Sequence, residues 1–218
     1  HNADCLDAMR LMEDDSFELA IVDPPYGIGF DGNTTIKGKS GKGSTFSNHQ
    51  HHEKKNWDSK RPPLDYFIEL QRVSKHQIIW GGNYFSDFLP ASRGWLYWDK
   101  KIMNANNKNF SDGELAWTNF NKRLIKFTYD WIGFGYINNP AKERKIHPTQ
   151  KPVALYTWLL EKYAKQGDRI LDTHLGSGSI AIACHNLGYD LTGYELDKDY
   201  YQAACKRLEN HQKQLRMF

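Results

Sequence analysis

Three carboxylates stand where strand-like runs end. Asp23 follows Leu19-Ala20-Ile21-Val22 and precedes Pro24-Pro25-Tyr26-Gly27, Asp172 follows Ile170-Leu171 and precedes a glycine-rich stretch, and Glu195 closes the run 190–194. An apolar run stopped by two prolines reads as a buried strand that cannot continue. Asp23 then sits at the strand's carboxyl end, the edge where open α/β sheets place their ligands. Pro24 and Pro25 fix φ and donate no N–H, so the turn is stiff, rich in acceptors and poor in donors. That suits an aromatic amine, whose N–H bonds need acceptors and whose ring needs a face to stack on, which Tyr26 can supply. Taken alone, the same tetrapeptide is equally a surface turn in which Asp23 caps the backbone and Tyr26 packs on a neighbour.

From Arg169 to Glu195 the order is strand, acidic residue, Gly-x-Gly, helix, strand, acidic residue, which is a βαβ nucleotide-binding unit. Gly176 and Gly178 let a ligand approach the backbone at a helix N-terminus, and Glu195 is placed for two ribose hydroxyls. Ala181 holds the place of the third glycine of the dinucleotide fingerprint. Asp172 at the start of the loop disfavours a pyrophosphate and favours a ligand with positive charge. An adenosyl ligand with a cationic amino-acid tail, S-adenosyl-L-methionine, fits all three facts.

With Asp23-Pro24-Pro25-Tyr26, His147-Pro148-Thr149-Gln150-Lys151-Pro152 and Asp172 through Ser179 in this order, the chain resembles the β class of DNA amino-methyltransferases from residue 2 to about residue 208. The resemblance implies a class I, Rossmann-like α/β fold. Its seven-stranded sheet would be mostly parallel with an antiparallel edge strand, and permuted so that the catalytic strand precedes the cofactor strand. It implies transfer of a methyl group from S-adenosyl-L-methionine to the N6 amine of an adenine flipped out of double-stranded DNA; a cytosine-N4 enzyme is the nearest rival, and such enzymes more often carry Ser where Asp23 stands. Asp23, Pro24, Pro25 and Tyr26 would be catalytic. The cofactor side would be built from Asp4, Cys5, Asp23, His147, Thr149, Gln150 and Lys151, then Thr173, His174, Leu175, Gly176, Ser177, Gly178 and Ser179 with Asp172, and finally Glu195 and Leu196. The family usually has Pro-Phe where this chain has Thr173-His174. Membership would place the protein in the cytoplasm of a bacterium, or encode it on a phage, with a homodimer and a cognate restriction endonuclease as conceivable partners. A non-catalytic DNA-binding module on a relic fold is the alternative from another class, and the intact acidic residues speak against it.

The elements that must position these residues are legible in outline. At 218 residues with 39% hydrophobic content, the chain has the length for one catalytic domain with a sheet covered on both faces. A net charge of +3 is too small for a protein that coats nucleic acid, so basic contacts should be local. Cys5, Cys184 and Cys205 lack metal or disulfide spacing, which points to reduced thiols and no metal site. No apolar stretch approaches a membrane span, and the start at His1 without Met implies residues upstream. Residues 1–5 read as the end of a strand, followed by a helix to about residue 14 in which Asp4 would otherwise be only an N-cap. Further helices are expected over 64–73, 153–164 and 180–187 and at the C-terminus, with strands at 77–80, 95–98, 114–117 and 124–127. Residues 31–63 and 130–146 read as DNA-contacting insertions. Gly38-Lys39-Ser40 lacks the earlier glycine of a phosphate-binding loop, because Asn33 holds that place. Seven Lys and Arg of the first insertion, among them Lys37, Lys39, Lys42, Lys55 and Arg61, read as a patch for DNA phosphates. Asn138, Asn139 and Arg144 of the second have side chains able to pair with base edges.

Overall fold

The first strand, β1 (Phe17–Val22), is the axis of the molecule. In this computed structural model, which describes residues 1–30, 55–100, 111–129, 131 and 145–215, β1 is flanked in parallel by β2 (Ser74–Trp80) and β6 (Arg169–Asp172). Leu19 pairs with His76 on one side and with Ile170 on the other. The full sheet has seven strands in the order β5 (Ile125–Thr128), β3 (Trp95–Asp99), β4 (Gly113–Thr118), β2, β1, β6, β7 (Asp190–Gly193). The strand carrying Asp23 and the strand carrying Asp172, 149 positions apart (172 less 23), are therefore neighbours with their carboxyl ends at one edge. That is the permuted arrangement implied above.

β1 reads as a continuous apolar run because both of its faces are covered, as parallel strands require. Leu19 and Ile21 pack with Ile78, Ile170 and the helices α3 (Val153–Tyr163) and α4 (Ser179–Leu187). Ala20 and Val22, pointing the other way, pack with Met9, Phe67, Leu70 and Val73 of α1 (Cys5–Met9) and α2 (Leu64–Val73). The C-terminal helix α5 (Lys198–Leu215) runs beside α4. Burying one Leu- or Ile-sized side chain contributes roughly 1.5–3 kcal/mol. The two layers thus hold β1 from both sides.

The antiparallel strand is internal and not at the edge of the sheet. The reversed strand is β4, which lies between β3 and β2 and third from that edge, while the edge strand β5 runs parallel to β3. β4 follows β3 in sequence and pairs antiparallel beside it, and β5, which comes next, pairs on the far side of β3.

The N-terminal expectation needs two corrections. Residues 1–4 form no strand, although the His1 carbonyl accepts from Glu195 N–H at 3.0 Å alongside the end of β7. The helix that follows stops at Met9, five residues earlier than its apolar spacing suggests, and Leu11 is 89% exposed. Without a surface to cover, that apolar residue has nothing to hold it in a helix.

Candidate active site

Beyond the carboxyl ends of β1 and β6 lies a cavity of about 600 Å³, within the range of small-molecule sites. Fifteen of the residues expected at the site line it. Asp23 and Pro25 do so from the β1 turn, His147, Thr149, Gln150 and Lys151 from the turn before α3, Thr173 to Ser177 from the glycine loop, Asp4 and Cys5 from the start of α1, and Glu195 and Leu196 from the end of β7. Five segments, spread from the start of α1 to the end of β7, thus meet around one space.

Five expected residues are not on its wall: Pro24, Tyr26, Asp172, Gly178 and Ser179. Asp172 is 2% exposed and lies beneath the loop, where one side-chain oxygen accepts from His174 N–H at 3.0 Å. Burial pushes its carboxyl up to about 8, so below that pH it carries its proton and offers no fixed negative charge. The carboxylate that faces the cavity from the β7 side is Glu195. Its Oε2 accepts from Gly176 N–H at 2.8 Å and its Oε1 from Asp197 N–H at 2.9 Å, fixing the glycine loop relative to the end of β7. Each oxygen keeps a second lone pair free for a hydroxyl.

Gly178 adopts a left-handed φ of 69° as the N-cap of α4, and a Cβ there would stand 3.1 Å from the Cβ of Ala204 on α5. The loop is braced from outside by Arg207, whose Nη1 donates to the Ser177 carbonyl and to Ser179 Oγ, both at 2.9 Å. Arg207 sits in an amphipathic terminal helix and carries no local signal of this role. At the Thr173-His174 departure, Thr173 Oγ1 lies 2.6 Å from Tyr66 Oη and 3.0 Å from His174 Nδ1. Burial holds His174 down to about 4, so its imidazole is neutral at pH 7. Asp4 is both an N-cap, accepting from Leu6 and Asp7 N–H at 2.8 and 3.2 Å, and a lining residue. Burial pushes the Cys5 thiol up to about 12, which keeps it protonated and unreactive.

Asp23 has a partner on each oxygen. Tyr26 Oη donates to Oδ1 at 2.7 Å and Lys151 Nζ donates to Oδ2 at 2.5 Å. Burial lifts the Asp23 carboxyl above the usual range, against the pull of the Lys151 charge. Lys151 is 4% exposed and also reaches Glu114 Oε2 at 2.9 Å. Burial works against its ammonium, but Asp23 and Glu114 outweigh it and hold the pKa above the ordinary lysine value. Expected only among the cofactor contacts, Lys151 is thus first an ion-pair partner of Asp23.

Tyr26 is not an open stacking face. Its ring stacks on Tyr84, centroids 4.8 Å apart and 16° between planes, and meets Phe85 edge-on. An incoming ring therefore finds one face of Tyr26 covered. Tyr26 also lies flat on Gly81, where φ is 69° and a Cβ would come within 2.1 Å of the tyrosine ring. Only glycine satisfies both constraints. Gly81→Ala should cost roughly 1–3 kcal/mol of stability through left-handed strain and displacement of Tyr26. Denaturant melts of the variant would measure the loss.

At the described end of the first insertion, two of the basic side chains already have acidic partners. Lys55 Nζ is engaged by Asp197 at 2.8 Å and Asp199 at 2.6 Å, and the Arg61 guanidinium by Asp87 and the Tyr84 carbonyl. These partners lie up to 144 residues away, so the local charge balance concealed them. Asp58, 3% exposed, accepts from the N–H groups of Gly27 and Phe30 and ties this segment to the Asp23 turn. Trp57 packs toward His147, and with Tyr156, Asp197, Lys198 and Tyr200, none of which the sequence marked for the site, it lines the cavity; Lys55, read above as a phosphate contact, lines it too. Lys37, Lys39, Lys42, Asn138, Asn139 and Arg144 lie outside the described residues.

A family model described as DNA methylase, of the N6/N4 methyltransferase type, matches residues 47–206. The chain belongs to that DNA methylase family. The type II methyltransferase M.HpaI of Haemophilus parainfluenzae is 25% identical over 95% of this chain and 73% of its own length. The type II methyltransferase M2.DpnII of Streptococcus pneumoniae is 32% identical over 51% of this chain and 38% of its own. Among solved structures, the M1.HpyAVI–SAM complex superposes with a TM-score of 0.58 at 21% identity, over 95% of this chain and 98% of that one. PvuII DNA methyltransferase, titled cytosine-N4-specific, gives 0.56 at 12%, over 94% and 84%. The DNA methylase therefore has the class I methyltransferase fold. No helix among the described residues is long and apolar enough to cross a membrane.

Proposed function

We propose that this DNA methylase transfers a methyl group from S-adenosyl-L-methionine to the N6 amine of an adenine flipped out of double-stranded DNA. The observation that carries the reading is that Asp23, after β1, lines the same cavity as the glycine loop after the adjacent parallel strand β6 and Glu195 after the next strand β7. The cavity chemistry fits the cofactor. Glu195 offers two acceptors for ribose hydroxyls, Leu196 at 71% exposure and Ala3 offer apolar surface to an adenine ring, and His147 and Thr149 stand where the amino-acid tail would lie. When bound, S-adenosyl-L-methionine supplies a methyl group activated by a sulfonium. The protein's part is to seat the amine. The Asp23 carboxylate and the Pro24 carbonyl accept from the exocyclic N–H bonds, which favours a tetrahedral nitrogen with a free lone pair, and Asp23 takes up the proton that must leave. A base paired inside a duplex cannot reach Asp23, so flipping, at a few kcal/mol of stacking and pairing, is part of the reading.

Adenine is favoured over cytosine by Asp23 itself, since the resemblance associates cytosine-N4 enzymes with Ser at this position. The similarity to PvuII DNA methyltransferase keeps the second reading in play. Incubating the purified protein with labelled S-adenosyl-L-methionine and unmethylated DNA, then separating the nucleosides by mass, tests both. N6-methyladenine is the expected product; N4-methylcytosine would replace the adenine assignment, and neither would reject methyl transfer to DNA. Glu195→Ala should weaken cofactor binding roughly 10-fold or more, each factor of ten being about 1.4 kcal/mol. An unchanged dissociation constant by calorimetry would count against the ribose role.

A further inference from the structure

Glu114 does not line the cavity, yet it is tied to the catalytic carboxylate through one intermediary. It is the second residue of β4, the strand that runs against the rest, and that reversal is what brings it to the site. The start of β4, and not its end, lies at the edge where β1, β2 and β3 finish, with Glu114 opposite Trp98 and Ala116 opposite Trp80. There Glu114 Oε1 stands 2.5 Å from Lys100 Nζ and Oε2 stands 2.9 Å from Lys151 Nζ, which in turn donates to Asp23.

We propose that Glu114 is a positioning residue for the amine acceptor, holding the Lys151 ammonium between two carboxylates so that Asp23 keeps acceptor capacity for the target amine. The proposal rests on the methyl-transfer reading above. An ammonium has three N–H groups, and an ionised carboxylate has about four lone-pair sites. Lys151 donates to Asp23 Oδ2 and, at 3.5 Å, to Tyr26 Oη, and its ammonium stands 2.9 Å from Glu114 Oε2 as an ion pair. Asp23 spends one site on Lys151 and one on Tyr26, which leaves room for an amine. Lys151 Nζ already stands 2.5 Å from Oδ2, and without Glu114 no second carboxylate keeps the ammonium on that one oxygen. In a largely desolvated setting, where a charge pair is much stronger than in water, it would be free to swing across both oxygens of Asp23 and occupy sites that the amine needs.

The charged and titratable groups around this chain of contacts fix the sign of the pH response. Glu114 faces Lys151, Lys100 and Lys145; Asp23 faces Lys151, Glu114, Tyr26, Tyr156 and Asp172. Although burial opposes its ionisation, Lys151 and Lys100 hold Glu114 down to about 2, so it is negative throughout the working range. Its charge raises the pKa of both Asp23 and Lys151. Removing that charge lowers both.

Glu114→Gln in the full chain, assayed by single-turnover methyl transfer to DNA, should be slowed by about 10²-fold, the scale of an ångström-level misplacement of a reacting group. Cofactor affinity should be unchanged, and both limbs of the pH–rate profile should move to lower pH. Glu114→Asp, which keeps the charge, should keep the limbs where they are. A Glu114→Gln rate equal to wild type, or a slower rate with unmoved limbs, would overturn the proposal. Titration of the Asp23 carboxyl by ¹³C NMR reads the same shift without turnover, so a wild-type protein that methylates nothing rejects the functional reading while Glu114 is still judged. Should Glu114→Gln fail to fold, Glu114→Gln with Lys100→Met removes the ion pair without stranding Lys100 and carries the same expectations.

Discussion

Asp23→Ala should lower the single-turnover rate of methyl transfer by about 10²–10⁴-fold, the range associated with a positioned proton-accepting group, while leaving cofactor affinity within a few-fold. The expectation follows from what the side chain touches. Asp23 offers the cavity two oxygens, each already ordered by a partner at hydrogen-bond distance, so an amine meets acceptors whose directions are set in advance. The groups assigned to the adenosyl moiety, Glu195 above all, lie across the cavity and keep their backbone partners in the variant. Rapid-quench measurement with labelled cofactor gives the rate, and calorimetry gives the affinity. Turnover near that of wild type would remove Asp23 from the chemistry.

Lys151→Met should produce the largest loss of stability. Truncating one member of a buried ion pair leaves its partners charged and desolvated, typically at about 3–5 kcal/mol. Here two carboxylates lose their shared cation at once, with Asp23 and Glu114 only 18% and 21% exposed. The pH dependence has a definite sign. Glu114, held down to about 2 in the folded protein, contributes stability that is present above its ordinary pKa of 4.5 and lost as pH falls toward 2. In the methionine variant the Lys151 share of this contribution is gone, leaving only Lys100 beside Glu114, and protonation relieves the carboxylates in acid. The difference from wild type should therefore be greatest near neutrality and shrink below about pH 4–5. Denaturant unfolding at pH 7 and pH 4 measures it; an equal loss at both would show that packing of the lysine stem, and not its charge, is what matters.

What could be seen in the chain beforehand was whatever its neighbours in sequence determine. A strand stopped by Pro24 and Pro25, a glycine-rich turn ahead of an apolar helix, and a carboxylate closing β7 are local patterns, and their meeting at one cavity followed from parallel strands sharing a carboxyl edge. What escaped is long-range. The acids that pair with Lys55 and Arg61 arrive from the start of α5 and from the segment after β2, so at least these two basic residues are already engaged within the protein. The position of β4, one of the few elements whose direction differs, decides that Glu114 rather than Thr118 reaches the site, and a strand's direction is not written in its alternation. Tyr26 was read as an open ring because nothing in the motif announces Tyr84. Asp172 was read as a charged group because its residue type carries a charge, while its depth beneath the loop leaves it neutral.

β1 sends alternate residues into both core layers and has a strand hydrogen-bonded along each edge. Segments of this kind open only with the whole molecule, whereas exposed loops open at little cost. The backbone beneath Asp23 is consequently among the slowest parts of the protein to exchange its amide hydrogens. Among the described residues, a rearrangement beside Asp23 is cheaper in an exposed side chain such as Tyr84, 39% exposed and stacked on Tyr26, than in the strand that carries the acceptor.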